Sequence, residues 1–151
     1  MTPVVRMAVA GDAAVIRALR IEAGWDADAV PDWFEAMTRG DRAMWVAELD
    51  GLVVAMVALD FIDPDPSVAD GDGTAAVTSL AVTAATERRG LGRALTVFAE
   101  EQARARGVRV LTLNTRPTNA AALALYHGLG YRLFKQEPRP WGEAVFLQKT
   151  L

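Results

Sequence analysis

Two apolar segments, 43–49 and 52–61, are separated only by the dipeptide Asp50-Gly51. Aspartate and glycine both tolerate the positive φ angles that a two-residue hairpin turn requires. We therefore expect the two segments to pair as antiparallel strands. A chain with this hairpin must contain an antiparallel sheet, and its other elements have to be arranged around that sheet.

Strand and helix periodicities alternate along the rest of the chain. Strands are predicted over 3–9, 74–83, 108–114, 131–135 and 144–149, and helices over 13–23, 31–40, 91–106 and 119–127. Each amphipathic helix must cover a sheet face, and strand-helix-strand crossovers follow the early hairpins. The predicted fold class is α/β (α+β), with a mixed, mostly antiparallel sheet of about seven strands and helices on both faces.

Three local features carry more specific expectations. Gly11-Asp12 offers a cap to the first helix. Segment 62–73 is rich in aspartate and turn formers, and it is predicted to be a solvated, mobile loop. Glu100 and Arg104 are spaced to pair along the third helix.

Composition excludes several classes of protein. With 151 residues, of which 52% are hydrophobic and 23% charged, the chain is expected to fold as one domain, 1–151. The absence of cysteine excludes disulfides, thiolate zinc sites and a cysteine acyl-enzyme. No metal-ligand spacing such as HExxH occurs, so no metal is expected.

Charge and hydropathy bear on partners and location. The net charge of −3 offers no basic surface for nucleic acid. The longest apolar run, 52–59, is far shorter than the roughly 20 residues that span a bilayer, and the N-terminus lacks a signal pattern. We therefore expect a soluble, cytoplasmic protein with neither nucleic-acid nor membrane partners.

The segment 87–94, ERRGLGRA, lies between a predicted strand and a predicted helix. Free amides of a helix's first turn and the helix dipole attract anions, and glycine lets the backbone come close to them. The segment is neither a P-loop nor a dinucleotide fingerprint, because no Lys-Ser or Lys-Thr follows Gly92 and Leu95 replaces the third glycine. The alternative is a plain helix start with solvated arginines.

Asn119, Ala122 and Tyr126 fall on one stripe of the fourth predicted helix. Ala122 allows close approach, Asn119 can cap the helix or bind a ligand amide, and Tyr126 presents a hydroxyl. The alternative reading places Tyr126 at the rim of the core, with its hydroxyl in water.

Together, the two motifs resemble the GNAT superfamily of acetyl-CoA-dependent N-acetyltransferases, and the order of predicted elements is similar from about residue 3 to 149. In this chain the second motif continues to Gly130-Tyr131. The resemblance implies that backbone amides of the glycine segment hold the pyrophosphate of acetyl-CoA, and that the pantetheine arm lies beside the fourth strand. The implied cofactor-binding residues are Leu80, Ala81, Val82, Arg88, Arg89, Gly90, Leu91, Gly92, Arg93, Ala94, Asn119 and Ala122. The chain departs from the family pattern at Glu87, where glutamine or arginine is usual.

The resemblance also implies a mechanism, with Tyr126 as the catalytic general acid beside the thioester sulfur. Without cysteine, the acceptor amine is expected to attack acetyl-CoA directly in a ternary complex, with the N–H of Val82 or a neighbour stabilising the oxyanion. The carboxylate that several family members carry on the fourth strand is missing from 78–82. Carboxylates that could act through a water chain are Glu22, Asp60 and Glu143, while His127 points away from Tyr126.

For the acceptor, the resemblance places Trp25, Trp33, Phe34 and Trp141 along the cleft. The acidic stretches 26–32 and 60–72 favour a cationic amine, on a small molecule or a peptide. Many relatives form homodimers, so a homodimer is possible. The alternatives are an acyl-CoA-binding sensor without turnover and, ranked below it, a serine hydrolase, for which neither Ser67 nor Ser79 lies in a Gly-x-Ser-x-Gly motif.

Overall fold

The computed structural model describes residues 2–28, 30–86 and 90–151, and over these residues the chain forms seven strands and four α-helices. The strands are β1 (Val4–Met7), β2 (Arg42–Leu49), β3 (Leu52–Asp60), β4 (Thr74–Val82), β5 (Val110–Thr115), β6 (Arg132–Arg139) and β7 (Gly142–Thr150). The helices are α1 (Ala13–Glu22), α2 (Val30–Arg39), α3 (Leu91–Ala105) and α4 (Ala120–Gly128). The predicted order of elements is confirmed, with boundaries that differ by a few residues.

The strands form one sheet in the order β1-β2-β3-β4-β5-β7-β6. Neighbouring strands are antiparallel except for β4 and β5, which are parallel. The parallel pair requires a crossover, and α3 provides it. The mixed, mostly antiparallel sheet of the sequence-based prediction is therefore confirmed.

The Asp50-Gly51 hairpin is also confirmed. Leu49 pairs with Leu52, and the φ angles of Asp50 and Gly51 are 54° and 77°. Two consecutive positive φ angles are characteristic of the type I′ turn, whose twist matches that of paired strands.

Helices cover both faces of the sheet, which explains why β2 is apolar at successive positions. Ala43, Trp45 and Ala47 belong to the core under α3 and α4, whereas Met44 and Val46 pack with α1 and α2. Successive strand residues point to opposite faces, so a strand covered on both sides needs apolar residues throughout. Within the described part of the chain, no helix combines the length and the apolar composition needed to cross a membrane.

Contrary to the prediction, the Asp12 side chain does not cap α1. It closes a 3₁₀ turn before α1, and its carboxylate accepts two N–H groups of Arg6 at 2.8 Å and the amide of Val9 at 2.8 Å. A paired guanidinium binds a carboxylate more strongly than the helix amides do. Asp12 therefore ties β1 to the start of α1.

The prediction for segment 62–73 was wrong in part, because its centre is buried. Val68 and Ala69 pack with Ala76 and Phe146 on the sheet, and Thr112 donates its hydroxyl proton to the Val68 carbonyl at 2.8 Å. These two apolar residues join a sheet-face cluster to which no helix contributes among the described residues. The turn formers around them shape a loop that is fixed to the sheet.

Glu100 and Arg104 do approach each other, at 3.9 Å, but Glu100 is only 3% exposed. Its carboxylate accepts the hydroxyl proton of Tyr131 at 2.8 Å and lies 3.0 Å from the ammonium group of Lys149. Glu100 therefore joins α3 to β7 and to the chain before β6, instead of forming a surface pair alone.

Candidate active site

The two parallel strands separate partway along their length. β4 and β5 pair only over residues 74–76 and 110–112, although both strands continue beyond this point. An open cleft of about 1260 Å³ lies where the strands separate. Val77, Leu80 and Val82 line one wall, and Leu113 and Asn114 line the other. The sheet therefore presents extended backbone from both strands to whatever occupies the cleft.

A β-bulge in β4 lies at the same place. Pairing with β3 passes from Met56 with Ala81 to Ala58 with Thr78, so β4 contains one additional residue there. Within the bulge Ser79 adopts a φ of 54°, which is uncommon for a residue other than glycine. Bulges bend a strand and redirect its side chains, and this bulge turns the Ser79 side chain toward two arginines described below.

The N-terminus of α3 forms another wall of the cleft. Gly90 caps the helix with a φ of 78°, which glycine adopts without strain, and Leu91, Gly92 and Arg93 line the cleft. Within the described residues, the first intrahelical bond runs from the Ala94 amide to the Gly90 carbonyl at 3.0 Å, and the amides of residues 91–93 belong to the first turn of the helix. A helix start of this kind attracts anions, so the site that the glycine segment predicts stays a prediction here.

Residues on α4 complete the wall, and the predicted stripe faces the cleft as one surface. Asn119, Ala122 and Tyr126 all line it, and Asn119 also caps α4 by accepting the Ala122 amide at 3.1 Å. Tyr126 is 8% exposed, and burial raises the pKa of its hydroxyl to about 12. Tyr126 therefore stays neutral well above ordinary pH, and its hydroxyl keeps the proton of a hydrogen-bond donor.

Most of the cofactor-binding residues predicted from the sequence lie on this surface, and a few do not. Leu80, Val82, Gly90, Leu91, Gly92, Arg93, Asn119 and Ala122 line the cleft. Ala81 faces the opposite side of the sheet, in the core with α1 and α2, and the Ala94 amide is used within α3. Glu87, Arg88 and Arg89 lie outside the described residues.

The carboxylates considered as bases lie elsewhere. Glu22 accepts the Ala84 amide at 2.8 Å, Glu143 is exposed near the start of β7, and Asp60 is ion-paired with Arg42 at 2.7 Å. Burial raises the pKa of the Asp60 carboxyl. Among the described residues that line the cleft, Asp26 is the one carboxylate, and His127 lies on the exposed side of α4.

The end of the cleft between α1, α2 and β4 is aromatic and basic. Trp25 and Trp33 line it with Arg20, while Trp141 lies on the β6–β7 turn under Arg116, whose Cζ is 5.3 Å from the indole. Phe34 and segment 60–72 do not contribute to the described lining, so the acidic surroundings expected from that segment are absent from the cleft wall.

Sequence reasoning missed Arg20, Arg42 and Ser79. Arg20 lies four residues after the buried Ile16, and Arg42 opens an apolar strand. A charged residue on the buried stripe of a helix was a usable signal, because such a charge needs a partner or a function.

The chain belongs to the acetyltransferase (GNAT) family, whose model matches residues 13–131. It is 44% identical over 57 residues to the ribosomal protein bS18-alanine N-acetyltransferase of Escherichia coli strain K12, a match that covers 38% of each chain. It is 32% identical over 99 residues to a mycothiol acetyltransferase of Amycolatopsis mediterranei, covering 66% of this chain and 31% of that protein. These matches therefore span well under half of each relative's length.

Solved structures also support the fold. A Salmonella typhimurium protein, solved with its cofactor acetyl-CoA, superimposes with a TM-score of 0.83 at 24% identity over 100% of this chain and 95% of its own. At this identity the likeness establishes the fold, which is the mixed sheet of the family with helices on both faces.

Proposed function

We propose that the protein is an acetyl-CoA-dependent N-acetyltransferase that transfers the acetyl group directly to a primary amine of a small molecule or a peptide. The observation that carries this proposal is the convergence on one cleft of the free N-terminus of α3, the separated strands and the Tyr126 hydroxyl. Family membership and the named activities of the relatives support it.

The cleft has a group suited to each part of acetyl-CoA. The amides of Leu91, Gly92 and Arg93 would hold the pyrophosphate, because amides of a helix's first turn bind anions without a side chain. Extended backbone of β4 at Leu80 and Val82 would accompany the pantetheine arm. Gly92 adds no side chain to this surface, and a Cβ at this position would meet Leu125 Cδ2 at 3.7 Å.

Acetyl-CoA supplies an activated acyl group on a thiol that leaves as the new amide bond forms. Tyr126 is proposed to donate a hydrogen bond or a proton to the departing sulfur, and burial, which raises the pKa of its hydroxyl to about 12, keeps that hydroxyl protonated. An amide of β4 at Val82 or a neighbour would stabilise the oxyanion. The amine proton would leave through water, since Asp26 is the one carboxylate on the described lining.

The absence of a carboxylate at the centre of the described cleft also favours a second candidate, an acyl-CoA-binding sensor of the same fold without turnover. The two candidates predict the same cofactor binding. They differ in whether an amine accelerates the release of CoA.

Two measurements on the purified full chain test these proposals. Calorimetric titration with acetyl-CoA, with ATP and NAD as controls, is expected to give micromolar binding for acetyl-CoA alone. Release of free thiol is then followed with and without a panel of primary amines. Amine-dependent release supports the enzyme, binding without amine-dependent release supports the sensor, and no heat with acetyl-CoA contradicts both.

A further inference from the structure

Arg20 extends from α1 into the end of the cleft between α1, α2 and β4, which we call the acceptor end. Only part of its guanidinium forms hydrogen bonds within the described residues. Its Nη1 donates to Ser79 Oγ at 3.0 Å and its Nε donates to the Asp26 carbonyl at 2.6 Å. A guanidinium carries five N–H donors, so the greater part of this group has no acceptor among the described residues. The remaining donors belong to a residue of the cleft lining.

The charge of Arg20 also lacks a carboxylate partner within the described part of the chain. Arg42, which donates to the same Ser79 hydroxyl at 3.1 Å, is paired with Asp60, whereas no ion pair within 4.0 Å involves Arg20. The Asp26 carboxylate instead accepts the amide of Asp28 at 2.8 Å. Burial, followed by the positive charge of Arg42, lowers the pKa of Arg20, while the nearby charge of Asp26, which forms no ion pair with it within 4.0 Å, acts in the opposite direction.

Two indoles hold this guanidinium in place. Arg20 Cζ lies 5.1 Å from the Trp25 ring centroid and 4.5 Å from that of Trp33, and Arg42 lies 4.3 Å from Trp33. Aromatic faces orient a guanidinium and exclude water without using its N–H donors. The result is a fixed, partly desolvated cation whose remaining N–H groups are able to bind an anion.

We propose that the acceptor amine carries a carboxylate and that Arg20 binds this carboxylate, an inference that rests on the acetyltransferase function proposed above. The planar fork of a guanidinium matches the two oxygens of a carboxylate. Ser79 directly precedes Leu80, so the bound anion lies close to the strand expected to carry the thioester, and one small molecule can span both. Arg20 is thus a specificity residue, and the acceptor differs from the purely cationic amine that the acidic segments suggested.

Matched pairs of amines that differ only in carboxylate against carboxamide provide the test, namely glycine with glycinamide, alanine with alaninamide, and β-alanine with β-alaninamide. CoA release at saturating acetyl-CoA is expected to give a kcat/KM at least about 10-fold higher for the acid of the preferred pair. The intrinsic reactivity of the amines favours the carboxamide, because its amino group is less basic and more often neutral than that of the acid. Aminomethylphosphonate is included, and preference for it over every carboxylate would overturn the carboxylate assignment.

Variants connect the preference to Arg20. Arg20→Gln is expected to raise KM for the preferred acid at least about 10-fold while KM for its amide and for acetyl-CoA stays within about 2-fold, and Arg20→Lys is expected to restore part of the preference. Arg17→Gln is the matched control on the same helix, because Arg17 donates to the Ala27 carbonyl at 2.9 Å and does not line the described cleft. It should leave the acid-to-amide ratio unchanged.

The outcomes distinguish failure of the carboxylate inference from failure of the proposed acetyltransferase function. Equal or better use of the carboxamides, or rejection of every carboxylated amine by a protein that acetylates another amine, overturns the inference and leaves the proposed function intact. An acid preference that survives Arg20→Gln overturns the role of Arg20. Absence of acetyl-CoA binding, or of CoA release with any amine, contradicts the proposed function, and the inference falls with it.

Discussion

Tyr126 and Tyr131 meet edge to face, with their ring centroids 6.0 Å apart. Their surroundings differ, since the hydroxyl of Tyr131 is bonded to the buried Glu100 and Tyr126 lines the cleft. The two residues are five positions apart in the chain, and Tyr131 helps to hold the Tyr126 ring in place. This pair therefore allows loss of the proposed catalytic hydroxyl to be compared with loss of a structural one.

Tyr126→Phe is expected to lower kcat at least about 10-fold, with little change in the affinity for acetyl-CoA. The hydroxyl is proposed to act on the leaving sulfur, whereas binding depends on the backbone of α3 and β4. Steady-state CoA release and calorimetric titration measure the two quantities separately. An unchanged kcat would exclude Tyr126 from the mechanism.

Tyr131→Phe should act on stability. It removes the hydroxyl that donates to Glu100, a residue that is only 3% exposed, and the loss should lower the free energy of unfolding by about 1–3 kcal/mol. Urea denaturation measures this change. If Tyr131→Phe instead reproduced the kcat of Tyr126→Phe without loss of stability, the division of roles between the two tyrosines would be wrong.

The pH dependence of kcat follows from the burial of Tyr126. Burial raises the pKa of its hydroxyl to about 12, so the proton needed for donation is retained as pH rises and is lost only near that value. We therefore expect no fall in kcat from tyrosine ionisation between about pH 8 and about pH 10. The profile of Tyr126→Phe should have the same shape. A decline near pH 10 that disappears in Tyr126→Phe would contradict the assignment.

Gly92→Ala should separate acetyl-CoA binding from folding. The added methyl makes only ordinary contact with Leu125, and alanine favours a helix, so stability should be unchanged or higher. The same methyl would add bulk at the start of α3, where the pyrophosphate is proposed to bind, and should weaken acetyl-CoA binding by about 10-fold, or about 1.4 kcal/mol. Calorimetry and thermal unfolding measure the two effects.

The matched control is Gly128→Ala in the last turn of α4, where an added Cβ meets no described atom within 4 Å and which the described cleft lining does not include. It should leave acetyl-CoA affinity unchanged. Equal affinities in both variants would remove the helix start from the cofactor site.

Asp12→Asn tests the link between β1 and α1. Hydrogen bonds from Arg6 lower the pKa of Asp12, and a carboxyl with a lowered folded-state pKa stabilises the protein above its unfolded-state pKa. This stabilisation is lost as pH falls through the folded-state pKa. We expect Asp12→Asn to have a lower Tm at about pH 7, with the difference shrinking toward about pH 3. A difference that persists unchanged in acid would show that the charge is not responsible.

The features predicted from sequence are those that neighbouring residues determine. The turn at Asp50-Gly51, the helix opened by Gly90 and the stripe that carries Tyr126 each depend on a few adjacent positions, because backbone conformation and helical periodicity are local. Segment 62–73 shows the limit of such reasoning. Its turn formers were read correctly, but two apolar residues among them are buried because the sheet presents an apolar face there.

The sequence by itself therefore determined the order of elements, the mixed sheet and the family motifs of the proposed cofactor site. Only the tertiary structure decided the surroundings of Glu100, which Tyr131 and Lys149 reach from 31 and 49 positions away. It also decided the end of the cleft between α1, α2 and β4, near which Arg20 and Arg42 meet Ser79 across 59 and 37 positions. Such convergence depends on how helices pack on a bent strand, and no local pattern specifies which distant charges will meet and which will lack a partner.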